Sequence, residues 1–139
     1  DQRFDASDIL VMSAAVADAK PSHQSDEKIK KGSLTSVELI SNPDIVATVA
    51  ARKRNQIVIA FAAETSLNIE EGKRKLVAKS ADILFLNDVA HNEIFGSAQT
   101  QGVILLTTGS DQVAEKAIDR VDKDTLADLL LDHALDKLG

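Results

Sequence analysis

The chain has 139 residues, a formal net charge of −6, and no cysteine, tryptophan or tyrosine. That length suits one domain able to bury a core without staples, and the lack of cysteine excludes a disulfide framework, a thiolate nucleophile and a cysteine-zinc site. An acidic balance with only four aromatic rings, all phenylalanine, argues against nucleic-acid binding, which needs a basic footprint and stacking surfaces.

The composition fits a cytoplasmic protein. No apolar run reaches the length that crosses a bilayer, and no secretory pattern opens the sequence. His23, His91 and His133 are too far apart for a zinc spacing.

Taken in chain order, Ile9-Leu10-Val11-Met12 is the first strand. It is apolar on consecutive positions, as strands covered on both faces are. The same reading holds for Ile57-Val58-Ile59-Ala60-Phe61, Ile83-Leu84-Phe85-Leu86 and Val103-Ile104-Leu105-Leu106. Residues 34–40 alternate and predict a half-exposed strand, and residues 113–118 predict a weak final edge strand. A first helix is expected from Asn42 as N-cap with Pro43 in the first turn, burying Ile45, Val46, Val49 and Ala50. A second runs from about Asn68 to Lys79, with Asn68 and Glu71 spaced as a capping box and Leu67 placed to staple it. Gly72 inside it costs about 1 kcal/mol relative to alanine. A third runs from about Lys123 to Leu138, with Leu126, Leu129, Leu130, Ala134 and Leu138 on its buried side. Residues 21–27 and 90–101 form long loops.

Strands alternating with helices indicate an α/β domain, Rossmann-like and doubly wound, with a mostly parallel sheet. Ligands of such sheets bind beyond the carboxyl ends of the strands, so the segments that follow the strands hold the candidate site. Ser13-Ala14-Ala15-Val16-Ala17-Asp18 offers small residues for close backbone approach and a carboxylate at the rim. It reads equally as a strand exit with a solvated aspartate. Lys28-Ile29-Lys30-Lys31 can close over phosphates or be a solvated charge run. Asn42-Pro43-Asp44-Ile45 is a helix start that can also meet a ligand oxygen. Phe61-Ala62-Ala63-Glu64-Thr65 places a ring beside room for a planar base, or is a core ring followed by a turn. Lys75 and Lys79 share a helix face and, with Lys28, make the local basic cluster a triphosphate needs. Asn87-Asp88 ends a strand at the same rim.

These stretches, in this order and over residues 9–88, resemble phosphopantothenoylcysteine synthetase. In most bacteria that enzyme is the second half of a fused protein whose first half is a flavin-dependent decarboxylase, the half that carries FMN. The resemblance implies ligation of 4'-phosphopantothenate with L-cysteine, in coenzyme A biosynthesis, with CTP forming an acyl-cytidylate and Mg2+ assisting. It implies that Met12, Ser13, Ala14 and Asp18 line the nucleotide site. Asn42, Pro43, Asp44, Ile45 and Phe61 would hold the nucleotide, Lys28 would support activation, and Lys75 and Lys79 would add contacts. Metal ligands are not indicated. A homodimer is implied, or a higher homo-oligomer through a fused decarboxylase half. The family's amino-terminal Gly-rich turn and an asparagine of the same region have no counterpart here. Residues 1–139 are therefore expected to be the carboxy-terminal portion of a single CTP-binding synthetase domain, lacking its amino-terminal part.

Two other readings stand beside this one. One is a non-catalytic dimerisation or binding fragment of that enzyme, with residues 34–40 supplying the contact. The other is an NAD-binding oxidoreductase domain of the same architecture, opposed by the missing G-x-G-x-x-G and the absence of tyrosine.

Overall fold

A computed structural model describes residues 3–32, 35–90, 97–109 and 112–139. A short 3-10 turn at Phe4–Ala6 leads into β1 (Ile9–Met12). Then come β2 (Ala19–Pro21), β3 (Leu39–Ser41), α1 (Ile45–Ala50), β4 (Ile57–Glu64), α2 (Ile69–Ala78), β5 (Ile83–Asp88), β6 (Gln99–Thr107), β7 (Val113–Asp122) and α3 (Lys123–Leu138).

The main sheet has the order β1-β4-β5-β6-β7. β1, β4 and β5 are parallel, forming the expected parallel core. β6 and β7 extend it antiparallel; between β6 and β7 the connection after Thr107 is too short for a crossover. The β7 edge strand runs past the expected residue 118 to Asp122.

Both faces of the sheet are covered, which is why its strands read as continuous apolar runs. On one face Val46 and Ala50 of α1 and Leu76 of α2 pack on Val58, Ala60, Leu84 and Leu105. On the other, Leu126, Leu130 and Ala134 of α3 pack on Ile57, Ile59, Ile83, Phe85, Ile104 and Ile118. Ile59, Leu84 and Leu105 are fully buried, each contributing about 1.5–3 kcal/mol of transfer free energy.

Local chemistry sets the helix ends. Asn68 caps α2 by accepting from the Glu71 N–H at 3.0 Å, while Leu67 stays exposed. At its other end Ala81 N–H donates to the Leu76 carbonyl and Ser80 N–H to that of Val77, with Ser80 at φ 49°. That is a Schellman turn with serine in the place glycine usually takes. Asp122 caps α3 through the Thr125 N–H at 2.6 Å, and that bond holds its carboxyl below the ordinary range. Leu138 and Ile45, expected in the core, are exposed. Each lies at a helix end, where the neighbouring layer no longer reaches.

The strand expected over residues 34–40 is shorter. Residues 35–38 form no strand, and β3 begins at Leu39 and pairs antiparallel with β2, which the sequence did not signal. Part of the expected 90–101 loop, 91–96, lies outside the described residues, as does Leu34.

One side chain joins several elements. Asp82 accepts from the Val58 N–H at 2.8 Å and from Lys53 Nζ at 2.7 Å, and Lys53 also donates to the Ser80 carbonyl. Asp82→Ala should lower stability by about 2 kcal/mol, since bonds to a charged acceptor are lost and a strand amide is left unpaired. Urea denaturation checks this; an unchanged midpoint refutes it.

Candidate functional site

A cleft of about 720 Å³ opens at the carboxyl ends of β1, β4 and β5. That volume lies within the roughly 300–1,000 Å³ of small-molecule sites, and the position is where ligands of α/β sheets bind. The stretch from Met12 to Asp18 forms one wall and the start of α1, from Asn42 to Val46, another. Ala60, Phe61, Ala62 and Ala63 of β4 make the floor, and Lys75, Ala78, Lys79 and Asn87 complete the lining.

The walls are stitched together. Asn42 donates its side-chain amide to the Ala17 carbonyl and its backbone N–H to the Asp18 carbonyl, both at 2.8 Å. This commits Asn42 to the loop after β1. The N-cap of α1 is consequently Asp44, whose Oδ1 accepts from the Ala47 N–H at 2.9 Å, and not Asn42 as the sequence suggests. Ala62 and Ala63 leave the end of β4 with little side-chain bulk at the cleft. Phe61 is partly buried and meets Phe85 edge-on, with centroids 6.4 Å apart.

The cleft lysines are not free charges. Lys79 Nζ donates to Asp44 Oδ2 at 2.7 Å, and Lys75 Nζ donates to Glu64 at the end of β4. Eleven of the twelve residues singled out from the sequence line the cleft: Met12, Ser13, Ala14, Asp18, Asn42, Pro43, Asp44, Ile45, Phe61, Lys75 and Lys79. Lys28 does not. It is exposed on the segment between β2 and β3, so the three lysines are not gathered into one cluster. Glu64 as the partner of Lys75 went unnoticed in the sequence, where a strand-end glutamate carries no signal of its own. Among the described residues no three histidine or carboxylate side chains stand together as a metal site.

The Lys79 bond, followed by the Ala47 N–H, holds the Asp44 carboxyl below its ordinary value of 3.8. A carboxyl depressed in the folded state adds stability above its unfolded pKa and loses it as pH falls through the folded one. Lys79→Met should therefore move the Asp44 titration up toward 3.8 and let the α1 cap weaken at higher pH. Carboxyl carbon NMR titration reads this, and an unmoved Asp44 curve would rule the pairing out.

A family model of the DNA/pantothenate metabolism flavoprotein C-terminal domain matches residues 1–138. The chain belongs to this family. Among curated relatives, the coenzyme A biosynthesis bifunctional protein CoaBC of Borreliella burgdorferi is 36% identical over 123 residues, 86% of this chain and 31% of that protein. The CoaBC of Escherichia coli is 36% identical over 131 residues, 90% of this chain and 31% of that protein. The CoaBC of Bacillus subtilis is 39% identical over 104 residues, 73% of this chain and 25% of that protein. The chain thus spans about a third or less of these relatives.

Two solved structures share the fold of this flavoprotein C-terminal domain. The C-terminal domain of CoaBC superposes with a TM-score of 0.62 at 24% identity, over 96% of this chain and 57% of that one. The DNA/pantothenate metabolism flavoprotein of Streptococcus pneumoniae gives 0.69 at 18% identity, over 94% and 64%. Among the described residues no helix is long and apolar enough to cross a membrane.

Proposed function

We propose that the protein carrying this domain acts in coenzyme A biosynthesis and ligates 4'-phosphopantothenate to L-cysteine with CTP. The observation that carries the reading is the cleft itself: four of the five stretches resembling the synthetase, all but Lys28–Lys31, converge on one sheet-end site of nucleotide size. The names of the curated relatives support the pathway.

In this reaction a carboxylate oxygen of phosphopantothenate bonds to the α-phosphorus of CTP, and pyrophosphate leaves. The cysteine amine then attacks the acyl carbon, and CMP leaves. The first step brings anion against anion, so cationic side chains stabilise it. Lys75 and Lys79 stand in the cleft wall for this, and Lys28 would reach it from the segment between β2 and β3. The base would lie on the alanine floor beside Phe61. Asp44 and Glu64 hold their lysines in place before the nucleotide enters. Mg2+ commonly keeps its waters and binds through phosphates with one or two carboxylates. Asp18 fits that role, as the cleft carboxylate with no lysine partner among the described residues. When bound, the ion would neutralise triphosphate charge.

The test is the parent protein with CTP, 4'-phosphopantothenate and L-cysteine, followed by mass spectrometry of the adduct and CMP. Cysteine-dependent CMP release supports the reading; no adduct and no CMP overturn it.

An assembly role is favoured by a separate observation. Leu39 and Ile40 of β3 and nearby Val37 are exposed at 60%, 43% and 51%, on a two-stranded ribbon outside the main sheet. We read this ribbon as a contact between two copies of the protein. Sedimentation of Leu39→Glu against wild type tests it, with loss of a dimer expected and an unchanged profile counting against it.

A further inference from the structure

Thr100 is the single buried polar residue among those described, with 3% exposure. It lies at the start of β6, where an irregularity between Thr100 and Gly102 breaks the register with β7. Bulges of this kind re-aim a side chain. The Thr100 hydroxyl donates to Oδ1 of Asn87 at 2.9 Å.

Asn87 lines the cleft and pairs in register with Ala63, two residues beyond the Phe61–Phe85 pair. With Oδ1 engaged by Thr100, its amide N–H2 group remains, and no described residue accepts from it. A buried hydroxyl is thus spent on orienting a side chain at the rim, where the exposed end of that side chain is a donor.

We propose that Thr100 is a positioning residue that fixes Asn87 so that its amide N–H2 donates to an oxygen of the bound nucleotide. This rests on the nucleotide reading of the cleft. It adds a determinant from the antiparallel half of the sheet, which supplies no lining residue of its own. A donor held in one orientation prefers an acceptor on the ligand, and it loses less freedom on binding than a mobile one.

The experiment uses the full chain. Calorimetric titration with CTP, ATP, GTP and UTP is run on wild type, Asn87→Ala, Asn87→Asp, Thr100→Val and Thr100→Ser. Side-chain amide NMR of Asn87 is recorded without nucleotide. Thr100→Val keeps the shape and removes the hydroxyl; Thr100→Ser keeps the hydroxyl. Asn87→Ala and Thr100→Val should each weaken nucleotide binding about tenfold, and Asn87→Asp, which replaces the donor by an anion, should weaken it more. Thr100→Ser should stay within about twofold of wild type. The Asn87 amide signals should shift and broaden in Thr100→Val alone.

Equal loss in Thr100→Val and Thr100→Ser would mean a packing effect and overturn the proposal, as would wild-type affinity in Thr100→Val. An Asn87 amide signal unchanged in Thr100→Val overturns the positioning role whatever the nucleotide result. A wild-type chain preferring another nucleotide sinks the CTP reading, and the same variants measured with that nucleotide then decide the role of Thr100. A wild type that binds none of the four overturns both.

Discussion

Gly102→Ala should destabilise the fold by about 3 kcal/mol or more, a size reserved for a few backbone and core mechanisms. A Cβ built on Gly102 would stand 2.1 Å from the Leu86 carbonyl oxygen. It would also lie 3.1 Å from the tip of the Phe85 ring. The main obstacle is backbone and cannot swing away. β6 would have to separate from β5 where Gly102 faces Asn87, opening the ladder beside the cleft. Two controls isolate the cause. Gly109, at φ +77° with nothing within 4 Å, carries conformational strain alone, so Gly109→Ala should cost only about 1 kcal/mol. Gly72 lets α2 lie close to the sheet, but the atoms a Cβ would meet there are leucine side-chain tips, at 2.8 Å and 3.1 Å. Those tips can give way, and alanine gains about 1 kcal/mol of helix propensity, so Gly72→Ala should cost well under Gly102→Ala. Thermal and urea denaturation of the three variants would settle the order. Gly102→Ala matching Gly109→Ala would show that the two strands part cheaply.

Lys28→Ala in the parent protein should lower turnover by about 10²–10³, the usual size for losing one transition-state charge contact. Lys28 does not line the cleft in the described structure. Under the proposed reaction its contribution would come from its segment closing on the reacting carboxylate and phosphate, so the loss should appear mainly in kcat, with the KM for CTP little changed. Asp18→Ala alters a wall of the cleft itself and should raise that KM as well. Steady-state rates over a CTP series separate the two patterns. Unchanged turnover in both variants would remove the assignment of these residues to the reaction.

Much of the fold is legible in the sequence because burial on two faces leaves a plain mark. Ile57 to Phe61 and Ile83 to Leu86 read as covered strands, and the structure covers them from both sides. Asn68 reads as the cap of α2 because nothing else competes for its side chain. Asn42 fails as a cap for the opposite reason. Its amide is taken by Ala17, which is distant in sequence, and Asp44 two residues on has a carboxylate to spare. β2 escapes notice because three exposed residues, Ala19, Lys20 and Pro21, have no period to read. Of the site, the residues that make the walls are visible as motifs, while their electrostatic state is not. That Lys75 meets Glu64 and Lys79 meets Asp44 depends on how α2 lies against β4 and α1. Thr100 is hidden for the same reason, since an isolated threonine near a strand start gives no sign that a bulge turns it toward Asn87.

The mixed direction of the sheet sets an order of assembly. Thr107 pairs with Val113 across a tight hairpin, and α3 follows β7 directly. Ile9 must find Ile57 across the whole segment holding β2, β3 and α1. Contacts between near neighbours close early, and those spanning long stretches of chain close late. The antiparallel end and α3 are thus expected to form a platform on which β4 and β5 settle, with β1 docking last. Since β1 leads into a wall of the cleft, the pocket is expected to be completed late in folding and to open early in unfolding, which hydrogen exchange of the β1 amides would read. A tight ligand there would act as a latch on the last-formed strand, slowing the escape of β1 more than it speeds the gathering of the rest.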